Sequence, residues 1–265
     1  MYWQAKWQEP NPDQELEEEI LAIRQAHPNY GYRRIHATLR RNKWLVNRKK
    51  VQRICQKLGI QVRSFGRKYR KYSSYRGVVG HISPNLVNRR FESSIPYQKI
   101  TTDTTEFKYY EEDAKGKLQI KKLYLDPFMD LYNLEIISFK VSHQPNGITM
   151  MEALQEAIEA SKDCPYRRTF HSDRGWAYQM KEYQALLKEN KIFQSMSRKG
   201  NCYDNAPIEN FFSVMKQEMY YGKIYRSFHE LEAAITGYIR YYNEDRVKEK
   251  LHWMSPVEYR KKQAA

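Results

Sequence analysis

From residue 100 onward, short apolar strands and amphipathic helices follow one another in a fixed order, and that order limits the fold more than any other feature of the chain. Runs at 100–110, 118–129 and 134–141 read as a three-strand meander, with Gly116 in the first turn. Next comes a helix over 150–160 that places Met150, Ala153, Leu154, Ala157 and Ile158 on one face. A short strand at 168–171, a helix over 180–190 and a strand at 192–196 follow. Helices at 206–220 and 230–242 complete the pattern. The order β-β-β-α-β-α-β-α describes an α/β layer built on a mixed sheet.

The first 60 residues follow a different period. Asp13 opens a helix with Leu16, Ile20 and Ile23 inward, ended by His27-Pro28 because the residue before proline avoids helical dihedrals. A second short helix turns Ile35 and Leu39 inward. Asn47 is a good N-cap for a third, which buries Val51, Ile54, Cys55 and Leu58 and stops at Gly59. The outer face of that third helix carries Arg48, Lys49, Gln52, Arg53 and Lys57, so the three helices form a helix-turn-helix candidate. A small helical bundle with a basic face gives the same pattern.

Charge favours the nucleic-acid reading. The net charge is +15, and residues 31–99 alone hold 19 basic and 1 acidic residues, a sum of +18. A merely solubilising surface would mix the signs, whereas a single-sign block is the footprint of a polyanion partner. Within 61–98, Arg63, Arg67, Lys68, Arg70, Lys71 and Arg76 interleave with Phe65, Tyr69, Tyr72 and Tyr75. Such a connector suits phosphates and bases, and equally suits a solvated linker. Three cysteines without metal-type spacing argue against a disulfide framework and against a zinc site. No apolar run of 18 residues is present, so no membrane partner is expected and a cytoplasmic location is.

Three carboxylates carry the chemistry. Asp103 lies in a strand among four threonines, Asp173 ends the strand at 168–171, and Glu209 stands just inside a helix with 35 residues between it and Asp173. Two hard divalent cations need several oxygen ligands, and phosphoryl transfer with two metals needs those ligands on rigid elements. Asn205 is the expected N-cap of the Glu209 helix, and Pro207 fits its first turn. Lys216, seven residues after Glu209, falls on the same helix face and suits a phosphate. Each acid also has a structural explanation, since strand Asp can serve backbone donors and a first-turn Glu favours the helix dipole. Glu106, Asp126 and Asp130 are rival acids. Glu106 is expected on the face opposite Asp103, and His171 is expected to be a hydrogen-bonded core histidine.

Read together, these motifs resemble a family. Tyr30-Gly31-Tyr32-Arg33-Arg34-Ile35, Asn85-Leu86-Val87-Asn88-Arg89-Arg90-Phe91, Thr102-Asp103-Thr104-Thr105, His171-Ser172-Asp173-Arg174-Gly175 and Asp204-Asn205-Ala206-Pro207-Ile208-Glu209 are similar to the motifs of bacterial insertion-sequence transposases with a retroviral-integrase-like core. The closing segment Leu251-His252-Trp253-Met254-Ser255-Pro256-Val257-Glu258-Tyr259 fits the same pattern. The chain looks most like the second-frame product of the two-overlapping-frame group. The resemblance implies a ribonuclease-H-like mixed sheet flanked by helices, preceded by a small all-α helix-turn-helix domain. It implies Asp103, Asp173 and Glu209 as catalytic and metal-binding acids, two divalent ions (Mg2+, with Mn2+ as a substitute) and Lys216 as the family's basic residue. Its implied partners are the transposon terminal inverted repeats, target DNA, further copies in a synaptic complex, and an upstream-frame product or fusion. The expected divisions are 1–60 (helix-turn-helix), 61–98 (basic linker), 99–222 (catalytic core) and 223–265 (C-terminal helices). Asn133 stands where the family usually has Arg, which leaves an ion pair at Asp130 open. Leucine-zipper heptads, typical of the upstream-frame product, do not appear.

Overall fold

A computed structural model describes residues 11–62, 80–113 and 115–264. They divide into two compact units, one made of 11–62 with Val247–Trp253, the other of 80–246 with the residues from Met254 onward.

In the first unit, α1 (Gln14–Ala26), α2 (Tyr32–Arg41) and α3 (Arg48–Lys57) bury the apolar stripes that the 3.6-residue period marks. Leu16, Ile20 and Ile23 meet Ile35, Leu39, Val51 and Ile54, all close to fully buried. Asn47 caps α3, its side chain accepting the Lys49 N–H at 2.8 Å. Val247–Trp253 belongs to this unit, although it follows the whole of the second in sequence. The Val247 N–H donates to the Tyr30 hydroxyl at 3.2 Å, and Arg34 Nε donates to the Val247 carbonyl at 3.1 Å.

The second unit is built on β1 (Lys99–Thr102), β2 (Thr105–Glu112), β3 (Leu118–Asp130), β4 (Ile136–Ser142), β5 (Thr169–Ser172) and β6 (Phe193–Met196). β3 pairs antiparallel with β1, β2 and β4, whereas β5 is parallel to β1 and β6 to β5. This is the mixed sheet expected from the sequence. The run at 100–110 is one strand in register that is broken once. Ile100 pairs with Asp130 and Thr105 with Leu125, so the same register sets Asp103 opposite Pro127. Proline has no N–H to give to a ladder, and the pairing lapses at Asp103-Thr104.

Each face of the sheet has its own core. On one, Phe107, Leu123, Leu125 and Met129 pack against α6 (Ala206–Met215) and α7 (Phe228–Glu244) through Ile208, Phe211, Leu231 and Ile235. On the other, Ile100, Phe128 and Phe170 pack against α4 (Gly147–Ala160) and α5 (Lys181–Glu189). The helix expected over 206–220 is α-helical only to Met215. Lys216–Tyr220 is a π turn, closed by the Tyr221 N–H on the Lys216 carbonyl at 2.7 Å. A final helix, α8 (Pro256–Ala264), is tied to the turn before β4 by Arg260, which donates to Glu135 at 2.8 Å.

Part of the stretch expected as a connector, residues 83–87, is laid along β6. Leu86 N–H donates to Ser195 Oγ at 2.9 Å, Ser83 Oγ to Gln194 at 2.9 Å, and Met196 N–H to the Pro84 carbonyl at 3.3 Å. The arm residues Arg63, Arg67, Lys68, Arg70, Lys71 and Arg76 lie outside the described residues.

Candidate active site

The lapse at Asp103-Thr104 opens a groove of about 300 Å³ lined by Asp103, Thr104, Glu106, Asp126, Asp173, Trp176 and Tyr178, among others. Asp103 enters from the broken strand and Asp173 from the end of β5. The Asp173 Oδ1 accepts the Gly175 N–H at 2.7 Å. A side chain at Gly175 would begin 2.9 Å from that same oxygen, so any larger residue there would press on the Asp173 carboxylate. Glu209 stands in the first turn of α6, outside the lining of the groove.

The acids bear on one another. Burial, then the charge of Asp173, holds Asp103 well above the usual carboxylate range, with Glu209 and Asp126 adding to the effect. Burial also raises Asp173, against the pull of the Gly175 N–H. Glu209 is raised by burial and then by Asp173. Among the described residues none of these acids has a cationic partner within ion-pair distance. Half-buried carboxylates with raised affinity for protons and no counter-ion are the donor type that hard divalent cations prefer. Among the described residues, however, no three His, Cys, Asp or Glu side chains stand close enough to hold one metal ion together.

Other predicted residues have definite places. Lys216 Nζ donates at 2.6 Å to the Oγ1 of Thr105, two residues along the strand from Asp103, and lies 4.9 Å from the Phe107 ring centroid. Arg48 and Lys49 are exposed on α3, and Gln52 is half-buried. Arg53 is 3.5 Å from Asp13 and Lys57 2.6 Å from Glu17, so acids of α1 already engage part of that face. Such exposed pairs are weak and exchange readily for phosphate.

Two sequence expectations change. Asn205 does not cap α6, because its side chain makes no bond to the helix N-terminus. Instead its carbonyl oxygen accepts the Thr101 hydroxyl while its amide donates to the Thr102 carbonyl at 3.0 Å. The residue that looked like a cap ties the start of the Glu209 helix to the strand that bears Asp103. Glu106 was expected to face away from Asp103 and yet lines the same groove, since the strand between them is interrupted. Its carboxylate is occupied, 2.9 Å from Lys122 and accepting the Tyr124 hydroxyl at 3.1 Å.

Asp130 has no ion pair among the described residues. It accepts the backbone N–H groups of Tyr97 and Tyr132 at 2.9 and 3.0 Å. Asn133 instead bonds Glu135 at 2.8 Å and the Pro256 carbonyl at 3.0 Å. His171 is the core histidine expected: Nδ1 meets Ser195 Oγ and Nε2 the Asp204 carbonyl, both at 2.8 Å, and burial pushes its pKa down to about 4.

Sequence reasoning missed Asp204. Fully buried, it binds Arg198 at 2.8 Å, Arg89 at 2.9 Å and Asn85 at 3.0 Å, and these partners hold it well below the usual carboxylate range. Asn85-Leu86-Val87-Asn88-Arg89-Arg90-Phe91 is thus a clamp on the loop before Glu209. Tyr178 was missed too. It is buried, and its hydroxyl lies 3.5 Å from Thr104 Oγ1; burial and the Asp103, Asp173 and Asp126 charges raise its pKa.

Comparison with known proteins agrees with this architecture. Residues 11–69 match an HTH-like domain, and residues 93–202 and 209–263 match integrase core domains. A transposase-like protein of Haemophilus influenzae is 46% identical over 215 residues, covering 81% of this chain and 93% of that protein. The chain belongs to the transposase family of bacterial insertion sequences. The InsK product of Escherichia coli element IS150 is 41% identical, over 87% of this chain and 77% of its own length. The Escherichia coli transposase InsF of IS3A is 31% identical, over 93% and 82%. Among solved structures, the HTLV-2 integrase catalytic core domain with magnesium covers 63% of this chain and 97% of its own, at 15% identity and a TM-score of 0.46. Among the described residues, no helix of this transposase-family chain is long and apolar enough to cross a membrane.

Proposed function

We propose that this chain is a DNA transposase whose Asp103, Asp173 and Glu209 hold two divalent ions, Mg2+ or Mn2+, for cleavage at transposon ends and transfer of the freed 3′-hydroxyl into target DNA. The observation that carries this reading is the set of carboxylates on a broken strand, a strand end and a helix start, each raised by burial and lacking a cation. Bound divalent ions supply charge stabilisation at the phosphate and activation of the attacking oxygen. The chain's own part is to hold the acids on rigid supports: Gly175 N–H orients Asp173, and Asn205 ties the Glu209 helix to β1. Asp204, gripped by Arg89 and Arg198, fixes the loop between β6 and α6. Lys216, which bonds Thr105, would meet a phosphate on the α6 side.

Arg48, Lys49, Gln52, Arg53 and Lys57 on α3, with Arg67, Lys68, Arg70 and Lys71 in the basic arm, are proposed to grip the terminal inverted repeats. Copies of the chain pair in the synapse, and an upstream-frame product or fusion is proposed as a further partner. The proposed divisions are those at 60, 98 and 222, with a cytoplasmic, nucleoid-associated location. Purified protein with end-sequence DNA and Mg2+ or Mn2+ tests the reading. Joined products are expected; cleavage without joining would indicate a nuclease, and binding without cleavage a regulator.

A further inference from the structure

Beyond Met215, the chain that leaves α6 is held from two sides. On one side it meets β2, where Lys216, the first residue of the π turn, donates to Thr105 Oγ1 at 2.6 Å. Tyr220, the last, accepts the Lys108 N–H at 2.9 Å and donates to the Lys108 carbonyl at 3.0 Å. Glu218, midway between them, turns to α7 instead. Arg246, two residues past the end of α7, grips it with a two-pronged fork: Nη2 donates to Oε1 at 2.7 Å and Nε to Oε2 at 2.9 Å. The Tyr238 hydroxyl adds a bond to Oε2, also at 2.9 Å. The side chains of Glu218 and Arg246 are only 1% and 5% exposed. A buried ion pair adds little net stability over apolar side chains of similar size, because desolvating both charges offsets most of their attraction. What such a fork does supply is direction, since both partners are planar and meet at two points. The backbone it holds is unusual as well: π turns are rare and occur most often where a helix serves a functional site.

We infer that Glu218 is a positioning residue: locked to Arg246 and Tyr238, it fixes the π turn and so holds the Lys216 ammonium beside the strand of Asp103, where it meets a phosphate of bound DNA. The inference rests on the phosphate contact proposed for Lys216. The Tyr221 N–H on the Lys216 carbonyl closes the turn at 2.7 Å, so the lock on Glu218 and the backbone of Lys216 belong to one hydrogen-bonded ring. With Tyr220 clamped to β2 and Glu218 to α7, the lysine is held by its backbone and not only by its bond to Thr105.

Binding of the full chain to duplex DNA carrying the terminal repeat, measured by fluorescence anisotropy across a salt series without Mg2+ or Mn2+, provides the test. Lys216→Ala is expected to weaken binding about 10-fold, the loss of one charged hydrogen bond. It should also flatten log affinity against log salt by about 0.9, one phosphate contact. Glu218→Met, Tyr238→Phe and Arg246→Met together remove the lock without leaving a buried charge unpaired. That triple variant is expected to weaken binding about 5- to 10-fold and to flatten the slope equally. Once Lys216 is alanine, it should add less than about 2-fold. Wild-type affinity and slope in the folded triple variant would overturn the inference, as would an equal loss with and without Lys216, which would mark the pair as structural alone. If Lys216→Ala binds as wild type does, the phosphate contact fails and the inference with it. If Lys216→Ala is weakened and the triple variant is not, the contact survives and only the inference fails. Urea melts show whether the triple variant folds. If it does not, Arg246→Lys, which keeps the charge and loses the fork, takes its place. Weaker binding that vanishes in the Lys216→Ala background then supports the lock, and unchanged affinity overturns it.

Discussion

At the scale of single residues, the site is made of charges that the fold leaves uncompensated, and the consequences are measurable. Asp173→Ala should lower cleavage and joining at least about a thousandfold, because positioned charge stabilisation is the core of this chemistry. DNA binding should be retained, as judged by electrophoretic mobility shift. Strand transfer by that variant at wild-type rate would sink the proposed role of Asp173. Asp130 offers a test by pH that is separate from catalysis. Burial raises it to about 8, although the Tyr132 N–H pulls the other way. An acid with a folded pKa above its unfolded value keeps its proton only in the folded state between the two, so stability falls as pH rises from about 4 to about 8. Asp130→Asn cannot titrate. The stability of wild type relative to this variant, from urea melts at pH 5 and pH 8, should therefore decline with rising pH.

Among the elements, the joints between strand and helix matter more than the elements themselves. Asn205 bonds both Thr101 and Thr102 from the start of α6, so Asn205→Ala leaves the buried Thr101 hydroxyl and the Thr102 carbonyl unmet. A loss of about 1–3 kcal/mol is expected in chemical denaturation. Activity should fall more than stability explains, because the same bonds aim Glu209. Asp204→Ala acts on the neighbouring loop by releasing Arg89, Arg198 and Asn85 together. Strands were legible from alternation and helices from the apolar stripe, since both signals are local. The break in the first strand was not, because its cause, Pro127, lies on another strand and matters only once the register sets it opposite Asp103. The Asn205 expectation failed for a related reason: a side chain that suits a cap suits any nearby donor and acceptor, and the strand reached it first.

The whole molecule presents a lopsided charge, +18 over residues 31–99 against near balance after residue 100. DNA affinity should fall steeply with salt, and replacing Arg48 and Lys49 by alanine should reduce the slope of log affinity against log salt by about 2, near 0.9 for each lost phosphate contact. Fluorescence anisotropy across a salt series measures it; an unchanged slope would remove these two residues from the interface. Composition and period determined a great deal here: two folding patterns, the basic block between them, and three acids in recognisable motifs, all properties that a chain carries whether folded or not. Which acids share a groove was decided only by the tertiary structure. Asp126 joins Asp103 and Asp173 while Glu209 stays outside the lining, because burial and register depend on strands far apart in sequence. The return of Val247–Trp253 to the helices of the first unit has the same origin, since its bonds to Tyr30 and Arg34 span more than 200 residues and leave no periodic trace.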